Sequence, residues 1–360
     1  MRRCLIFFST GTVTGLFLSN VIDHLHSQRS SRLERNPYLN FIKYGLPSSQ
    51  NLEYYRQYIT SIDYARRIPS WVGYSLSRDY LSKCSCQPKS PRTRSEFQSQ
   101  CQMVPTEFQA TNEDYYDSGW SRGHMAPAGD HKYGSQEAMN ETFILSANIV
   151  PQDLDNNGNY WQRIEYFTRN LAKQFDFVHV ITGPLFIPNE QKSLDADDDF
   201  PIKQMAYNVI GVNEVHVPTH LFKCVLVENQ HQRDMGVGCF VIPNEPIDRN
   251  RPLTDFAVSL ANVERRTGLH LFHKKIHVDE VPFLCDKTSC ELLGKDAMSR
   301  ELIEQIEYAR KVRRCKTMEQ LQKLWNEVES KRYGTIDRWL TSAYAKRLAE
   351  LDTQKLKHDD

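Results

Sequence analysis

Arg122, Gly123 and His124 stand side by side in this chain, followed by Met125-Ala-Pro-Ala-Gly-Asp-His131. Further on comes an amide-rich run, Asp155-Asn-Asn-Gly-Asn159, and then Glu165. Cutting a phosphodiester takes a base for water, a cation for the developing charge, and a metal held by hard oxygen. These two segments can supply all three. His124 is the candidate base, because an imidazole titrates near neutrality. Arg122 is the candidate phosphate clamp, because a planar guanidinium grips phosphate oxygens in pairs. Gly123 between them permits a close backbone approach or an unusual dihedral. The plainer reading of Arg122 is a surface cation paired with Asp117.

Asn157 is the candidate metal ligand. Mg²⁺ keeps several waters and needs few protein oxygens, so one amide plus a substrate phosphate suffices. An Asn-Asn-Gly run is also an ordinary turn or helix start. Glu165 lies eight residues on, and on one continuous helix the two would border one cleft. It can hold metal-bound waters, unless it only pairs with Arg169 one turn away. Asn148 can orient the histidine or the phosphate. Arg94, in Pro91-Arg-Thr-Arg94, is the candidate second phosphate clamp, with Arg92 competing for the role. Tyr115, Tyr116 and Trp120 precede the motif and either stack on bases or lie buried beneath it. The acidic run Asp195-Ala-Asp-Asp-Asp199 lacks the glycine and spacing of a calcium loop and reads as solvated.

Elements must hold these residues together. Trp71–Ser77 reads as a first strand and Thr142–Leu145 as a short strand before the amide-rich turn. Tyr160, Ile164, Phe167, Leu171 and Phe175 recur at helical spacing and define one buried face. Phe177–Thr182, Met205–Ile210, Leu221–Val227 and Val237–Ile242 read as strands of a meander. Residues 253–266 look helical. Beyond residue 296 glycine nearly vanishes. Met318, Leu321, Trp325 and Val328 share one helical face behind a Thr317-x-x-Gln320 capping box. Ile336, Leu340, Tyr344, Leu348 and Leu351 mark another helix.

The whole chain bounds this reading. It has 360 residues, 40% hydrophobic and 25% charged, with a formal net charge of zero. That is ordinary for a globular protein with a real core. The neutral total argues against a protein that coats nucleic acid, and leaves room for an enzyme with cations gathered in one cleft. Nine cysteines, an odd number at irregular spacing, favour free thiols in a reducing compartment over a disulfide framework. Cys224 and Cys239 read as core. Arg2 and Arg3 precede Cys4–Ile22, which carries no charge and is long enough to span a bilayer. We read it as an uncleaved anchor or mitochondrial targeting segment. A secretory signal is the competitor, with the sequon Asn140-Glu-Thr142 in its favour. The expected division is an anchor at 1–22, a tether at 23–64, a catalytic domain at 65–295 and a helical extension at 296–360.

At Ser121-Arg-Gly-His124 the chain resembles the DNA/RNA non-specific endonucleases, the family of endonuclease G. Their signature is Asp-Arg-Gly-His followed by an asparagine-bearing helix. The likeness continues through Asn148-Ile-Val-Pro-Gln152, Asn157, Trp161 and Glu165 to Thr182-Gly-Pro184. It also takes in Val217-Pro-Thr-His-Leu-Phe-Lys223 and Phe240-Val-Ile-Pro-Asn244. The serine at 121 and the helical extension look most like the exonuclease-G-like mitochondrial branch. This implies an α+β fold: a ββα-metal (His-Me finger) core, a meandering antiparallel sheet and a C-terminal helical extension. It implies a Mg²⁺-dependent nuclease, with Mn²⁺ as a substitute, acting as a 5′-to-3′ exonuclease with endonuclease activity in mitochondrial DNA processing or repair. His124 would activate water, Asn157 bind metal and Arg122 contact phosphate. Glu165, Asn148 and Arg94 would support them. It further implies DNA as substrate, RNA as a second one, a homodimer, and an anchor in the mitochondrial inner membrane. Endonuclease action of the endonuclease G kind, or an inactive membrane-tethered nucleic-acid-binding protein, are the alternatives. Two departures stand out. Ser121 replaces a carboxylate, and Ser146-Ala147-Asn148 carries one extra residue, expected to be absorbed by a β-bulge.

Overall fold

The computed structural model describes residues 36–79, 81, 90–99, 104–188, 204–229, 234–292, 300–331, 333 and 335–356. Cys4–Ile22, the acidic run Asp195–Asp199 and cysteines 84, 86 and 101 lie outside them. The frame is a seven-stranded antiparallel sheet. Its strands are β1 (Leu52–Tyr54), β2 (Ile59–Asp63), β3 (Ile68–Ser77), β6 (Phe177–Leu185), β9 (His220–Glu228), β10 (Met235–Pro243) and β11 (Ala257–Val258), hydrogen-bonded in that order.

Period-two alternation sorts the side chains of the central strands onto two faces. Val72, Tyr74 and Leu76 of β3, Val178 and Val180 of β6, and Leu221, Val225 and Val227 of β9 form one core. A helix closes it, contributing Tyr160, Trp161, Ile164, Phe167 and Leu171. Phe175 follows beyond the helix end and is also buried. On the other face Trp71, Ile181, Phe222, Cys224 and Leu226 pack beneath Leu39, Phe41, Tyr44, Leu271 and Phe272.

The opposite face carries a buried polar chain. Phe41 N–H donates to Ser75 Oγ (2.9 Å), which lies 2.9 Å from His179 Nδ1. His179 Nε2 lies 2.9 Å from Glu228, whose carboxylate also accepts from Lys43 and Tyr44. A neutral His179, its pKa lowered by burial, satisfies every link. The chain clamps the 3₁₀ segment Pro37–Tyr44 onto the sheet.

Several boundaries differ from the sequence reading. The segment expected to be a tether supplies Pro37–Tyr44, β1 and β2, so the folded domain begins near residue 37 rather than 65. Trp71–Ser77 belongs to the third strand. Gly183-Pro184 does not end β6. The β3–β6 register stops at Val72–Thr182, so Pro184 pairs with β9 alone and its missing N–H breaks no bond to β3. Met205–Ile210 shrinks to β7 (Val209–Ile210), which pairs with β8 (Val215–His216). Residues 253–266 split into a 3₁₀ turn, β11 and a helix, Leu260–Thr267. The expected strand Thr142–Leu145 is a turn that runs into the helical turn Leu145–Asn148. That turn, not a bulge, takes up the extra residue.

The cysteine reading is also corrected. Cys224 and Cys239 face each other in the β9–β10 register, Cα atoms 4.1 Å apart, and are bridged. Cys285 and Cys290 form a second bridge. Cys315 is a buried free thiol among the described residues. The argument for a reducing compartment from unpaired thiols therefore falls.

Beyond residue 299 come helices Arg300–Arg314, Met318–Ser330 and Arg338–Leu356, with a core of their own around Val312, Leu321, Val328, Leu340 and Leu351. Thr317 Oγ1 caps Gln320 N–H (3.2 Å), and the Gln320 side chain accepts from Lys316 N–H (2.9 Å). This unit grips the main domain. Arg310 donates to Gly119 O (2.8 Å), and Arg314 pairs with Asp117. Among the described residues no helix is long and apolar enough to cross a membrane.

Candidate active site

A two-stranded hairpin stands apart from the large sheet: β4 (Ser121–His124) antiparallel to β5 (Ile149–Gln152). Two helices follow at once, α1 (Leu154–Gly158) and α2 (Tyr160–Leu171). The order is strand, strand, helix. Asp153 caps α1 by accepting from Asn156 N–H (2.9 Å). Asn159, at φ −125° and ψ −80°, breaks α1 from α2. Asn157 and Glu165 thus sit on two helices, and the single-helix geometry expected for them does not hold.

Arg122 and His124 are two residues apart on a strand, so they share a face. Phe97 confirms this, its ring lying 5.0 Å from the Arg122 guanidinium and 5.6 Å from the His124 ring. Arg122 is sandwiched between Phe97 and Tyr115 (5.6 Å). Its hydrogen bond is a long one to Asn112 O (3.4 Å), and its Nε has no partner. Asp117, the carboxylate that would have made it structural, is taken by Arg314. An aromatic-sandwiched guanidinium without a carboxylate is free to take phosphate. Tyr115 is buried beneath it, Trp120 is partly buried, and Tyr116 is 68% exposed.

His124 is 7% exposed, and its Nε2 is buried without a partner among the described residues. Phe143 packs on the ring edge to face, centroids 4.8 Å apart. Burial, then Arg92, then His131 push its pKa down to about 3. The ring is therefore neutral over the physiological range, the form a general base needs. Gly123 is required by close approach. A Cβ there would lie 2.1 Å from Gln152 Oε1 and 2.8 Å from Gln152 Cβ.

Asn148 is fully buried, and its carboxamide is spent on backbone. It accepts from Ala126 N–H (2.7 Å) and donates to Ala126 O (2.9 Å) and Thr142 O (2.8 Å). It holds the turn after His124 and cannot itself reach phosphate. Arg94 is exposed, and its guanidinium enters no hydrogen bond, ion pair or ring contact among the described residues. Arg92, its competitor for the clamp role, lies nearer to His124. Its guanidinium lies 5.7 Å from the Phe143 ring, and its charge lowers the pKa of both His124 and Glu165. One turn of 3₁₀ helix, Arg92–Arg94, aims the two arginines differently.

Asn157 Nδ2 donates to Ser121 Oγ (3.1 Å), while Ser121 donates to Gln152 O (2.7 Å). The serine standing for the signature aspartate thus fixes which end of the carboxamide is used. The nitrogen is committed, and Oδ1 is left to accept a cation. Three residues of strand separate Ser121 from His124, about 10 Å of rise. Glu165 is half-buried and does not pair with Arg169, which binds the buried Asp130 instead. Among the described residues no three of His, Cys, Asp and Glu cluster to cage a metal. One amide oxygen and one unpaired carboxylate fit an ion that keeps most of its waters, as Mg²⁺ does.

Residues 38–276 match the DNA/RNA non-specific endonuclease family. The chain belongs to that family. It is a nuclease, a metal-dependent hydrolase of phosphodiester bonds. It is similar to mitochondrial nuclease EXOG of Homo sapiens, 38% identical over 87% of this chain and 80% of that one. The Mus musculus protein of the same name is 34% identical over 99% and 94%. The mitochondrial nuclease of Saccharomyces cerevisiae is 35% identical over 71% and 76%. Among solved structures, EndoG in its complex with EndoGI matches 67% of this nuclease and 93% of that chain, with a TM-score of 0.60 and 32% identity. The fold is therefore the expected ββα-metal nuclease fold with an antiparallel sheet.

Sequence reasoning ranked Arg92 behind Arg94 and missed Phe97, Phe143, Gln152 and Lys223 around this site. The aromatics gave no signal, since core phenylalanines look alike. Lys223 did give one: it is a lysine in the middle of an otherwise apolar strand.

Proposed function

We propose that this nuclease acts on DNA, and on RNA as a second substrate, as a mitochondrial 5′-to-3′ exonuclease with endonuclease activity, using Mg²⁺ or, in its place, Mn²⁺. We propose further that it works as a homodimer, tethered to the inner membrane by Cys4–Ile22. The names of its EXOG and yeast relatives support the compartment. The likeness to EndoG keeps a purely endonucleolytic mode as the second reading.

The observation that carries the chemistry is the unpartnered Nε2 of a neutral His124, on the hairpin whose Ser121 orients Asn157. In this mechanism His124 Nε2 takes the proton from the attacking water. Arg122, rigid between two rings, meets the charge that builds on the non-bridging oxygens. Arg92 adds a second positive charge on the same side. Phe97 and Phe143 pack on the imidazole and fix its orientation. Asn157 Oδ1 would ligate the metal and Glu165 would hold its waters. The metal, when bound, supplies Lewis-acid stabilisation of the leaving oxygen.

His124→Ala should abolish cutting of end-labelled duplex DNA while binding, read by filter retention, persists. Asn157→Ala should weaken Mn²⁺ binding measured by calorimetry. Cleavage by His124→Ala at the parental rate would falsify the assignment. Release of mononucleotides from linear but not circular DNA would favour the exonuclease reading over the endonuclease one.

A further inference from the structure

Lys223 lies at the centre of β9, between Thr182 of β6 and Phe240 of β10. It is fully buried. Strand alternation places it with Leu221 and Val225, on the face that α2 covers. Its Nζ has no hydrogen-bond partner among the described residues. The ammonium stands 4.7 Å from the Trp161 ring and 6.0 Å from the Tyr74 ring. Trp161 and Glu165 are one helical turn apart on α2, so they share a side.

A lone ammonium buried among apolar side chains is strongly unfavourable. Something must balance it. Four buried or half-buried charges meet under α2: Lys223, Arg169, Asp130 and Glu165. Arg169 and Asp130 pair directly. Among the described residues neither Lys223 nor Glu165 has an ion-pair partner at contact distance, and the opposite charge of each acts on the other. Burial alone would neutralise both, lowering the lysine's pKa and raising the carboxyl's. Each opposes that in the other.

We propose that Lys223 is a positioning residue, a buried cation beneath the catalytic floor that holds the Glu165 side chain in place where it supports the water shell of the metal. Lys223 touches neither substrate nor metal, because no part of it reaches the surface. The inference rests on the role given to Glu165 above. The energetic coupling of the two charges can be read without catalysis.

Four proteins form a cycle: the parent, Glu165→Gln, Lys223→Met and the double variant. Melting in metal-free buffer comes first. Glu165→Gln should lower the melting temperature by several degrees, because it strands the ammonium. The double variant, which removes both charges, should recover most of that loss. Mn²⁺ titration follows. Lys223→Met should weaken binding by about 10- to 100-fold, the usual effect of losing a supporting partner. In the Glu165→Gln background the same change should do little. If Lys223→Met alone cannot be obtained folded while the double variant can, the coupling is supported. An unchanged melting temperature in Glu165→Gln would overturn it. So would additive losses through the cycle. Failure of the nuclease reading itself would appear elsewhere, as cutting by His124→Ala.

Discussion

Gly123→Ala tests how tightly the catalytic strand is packed. The new methyl would lie 2.1 Å from Gln152 Oε1, 2.8 Å from its Cβ and 3.0 Å from its Cδ. The amide end could swing aside, but the Cβ is fixed to β5, so the hairpin itself must shift. Overpacking of this kind costs about 1–3 kcal/mol. A swung Gln152 also loses its 2.9 Å bond to Asn156 Oδ1, worth about 1 kcal/mol. The expected loss is therefore about 2–4 kcal/mol, a fall in melting temperature of roughly 5–15 °C. The strand also carries His124, and a misplacement of about 1 Å at a reacting group costs on the order of 100-fold in rate. Calorimetry and single-turnover cleavage read the two effects separately. Gln152→Gly, which removes that Cβ as well, should restore much of the stability in the Gly123→Ala background, although it is harmful alone. If Gly123→Ala melts with the parent and cuts at the parental rate, the close-approach argument is refuted.

Other outcomes follow from the same geometry. His124 is held unprotonated when folded, so below pH 6.5 the unfolded chain binds a proton that the folded one does not. Its contribution to stability is full above pH 6.5 and is lost as pH falls toward 3, amounting to about 2 kcal/mol at pH 5. Urea melts of the parent and of His124→Asn at pH 7.5 and 5 should differ in slope with pH by that amount, and equal slopes would remove the burial argument. Arg92→Ala should slow cleavage and weaken DNA binding by severalfold, whereas Arg94→Ala should do neither. Reversed results in a salt titration of binding would restore Arg94 to the site.

Much of the site was legible because its chemistry depends on residue type and short spacing. Arg122 and His124 fall on one face of a strand simply by being two apart. Asn157 and Glu165 could be named, but not their relation, because Asn159 breaks the helix between them. Asn148 was legible as important and not as buried. An asparagine reads alike whether its amide faces phosphate or backbone. Arg92 and Arg94 differ only in where a single 3₁₀ turn points them. In the fold, the periodic helix and the long strands β9 and β10 announced themselves. β1 and β2 did not, because they are short, edge-proximal and polar in part. The Cys224–Cys239 bridge depends on strand register, which spacing alone does not give.

The grip of Arg310 and Arg314 on the bend at Asp117–Gly119 has a mechanical consequence. That bend has positive φ at both Asp117 and Gly119, and it feeds directly into Ser121. Shortening the protein ahead of residue 300 would strip these carbonyls of two cationic ties and slacken the entry to the cutting strand. The tail and the scissors are therefore one lever.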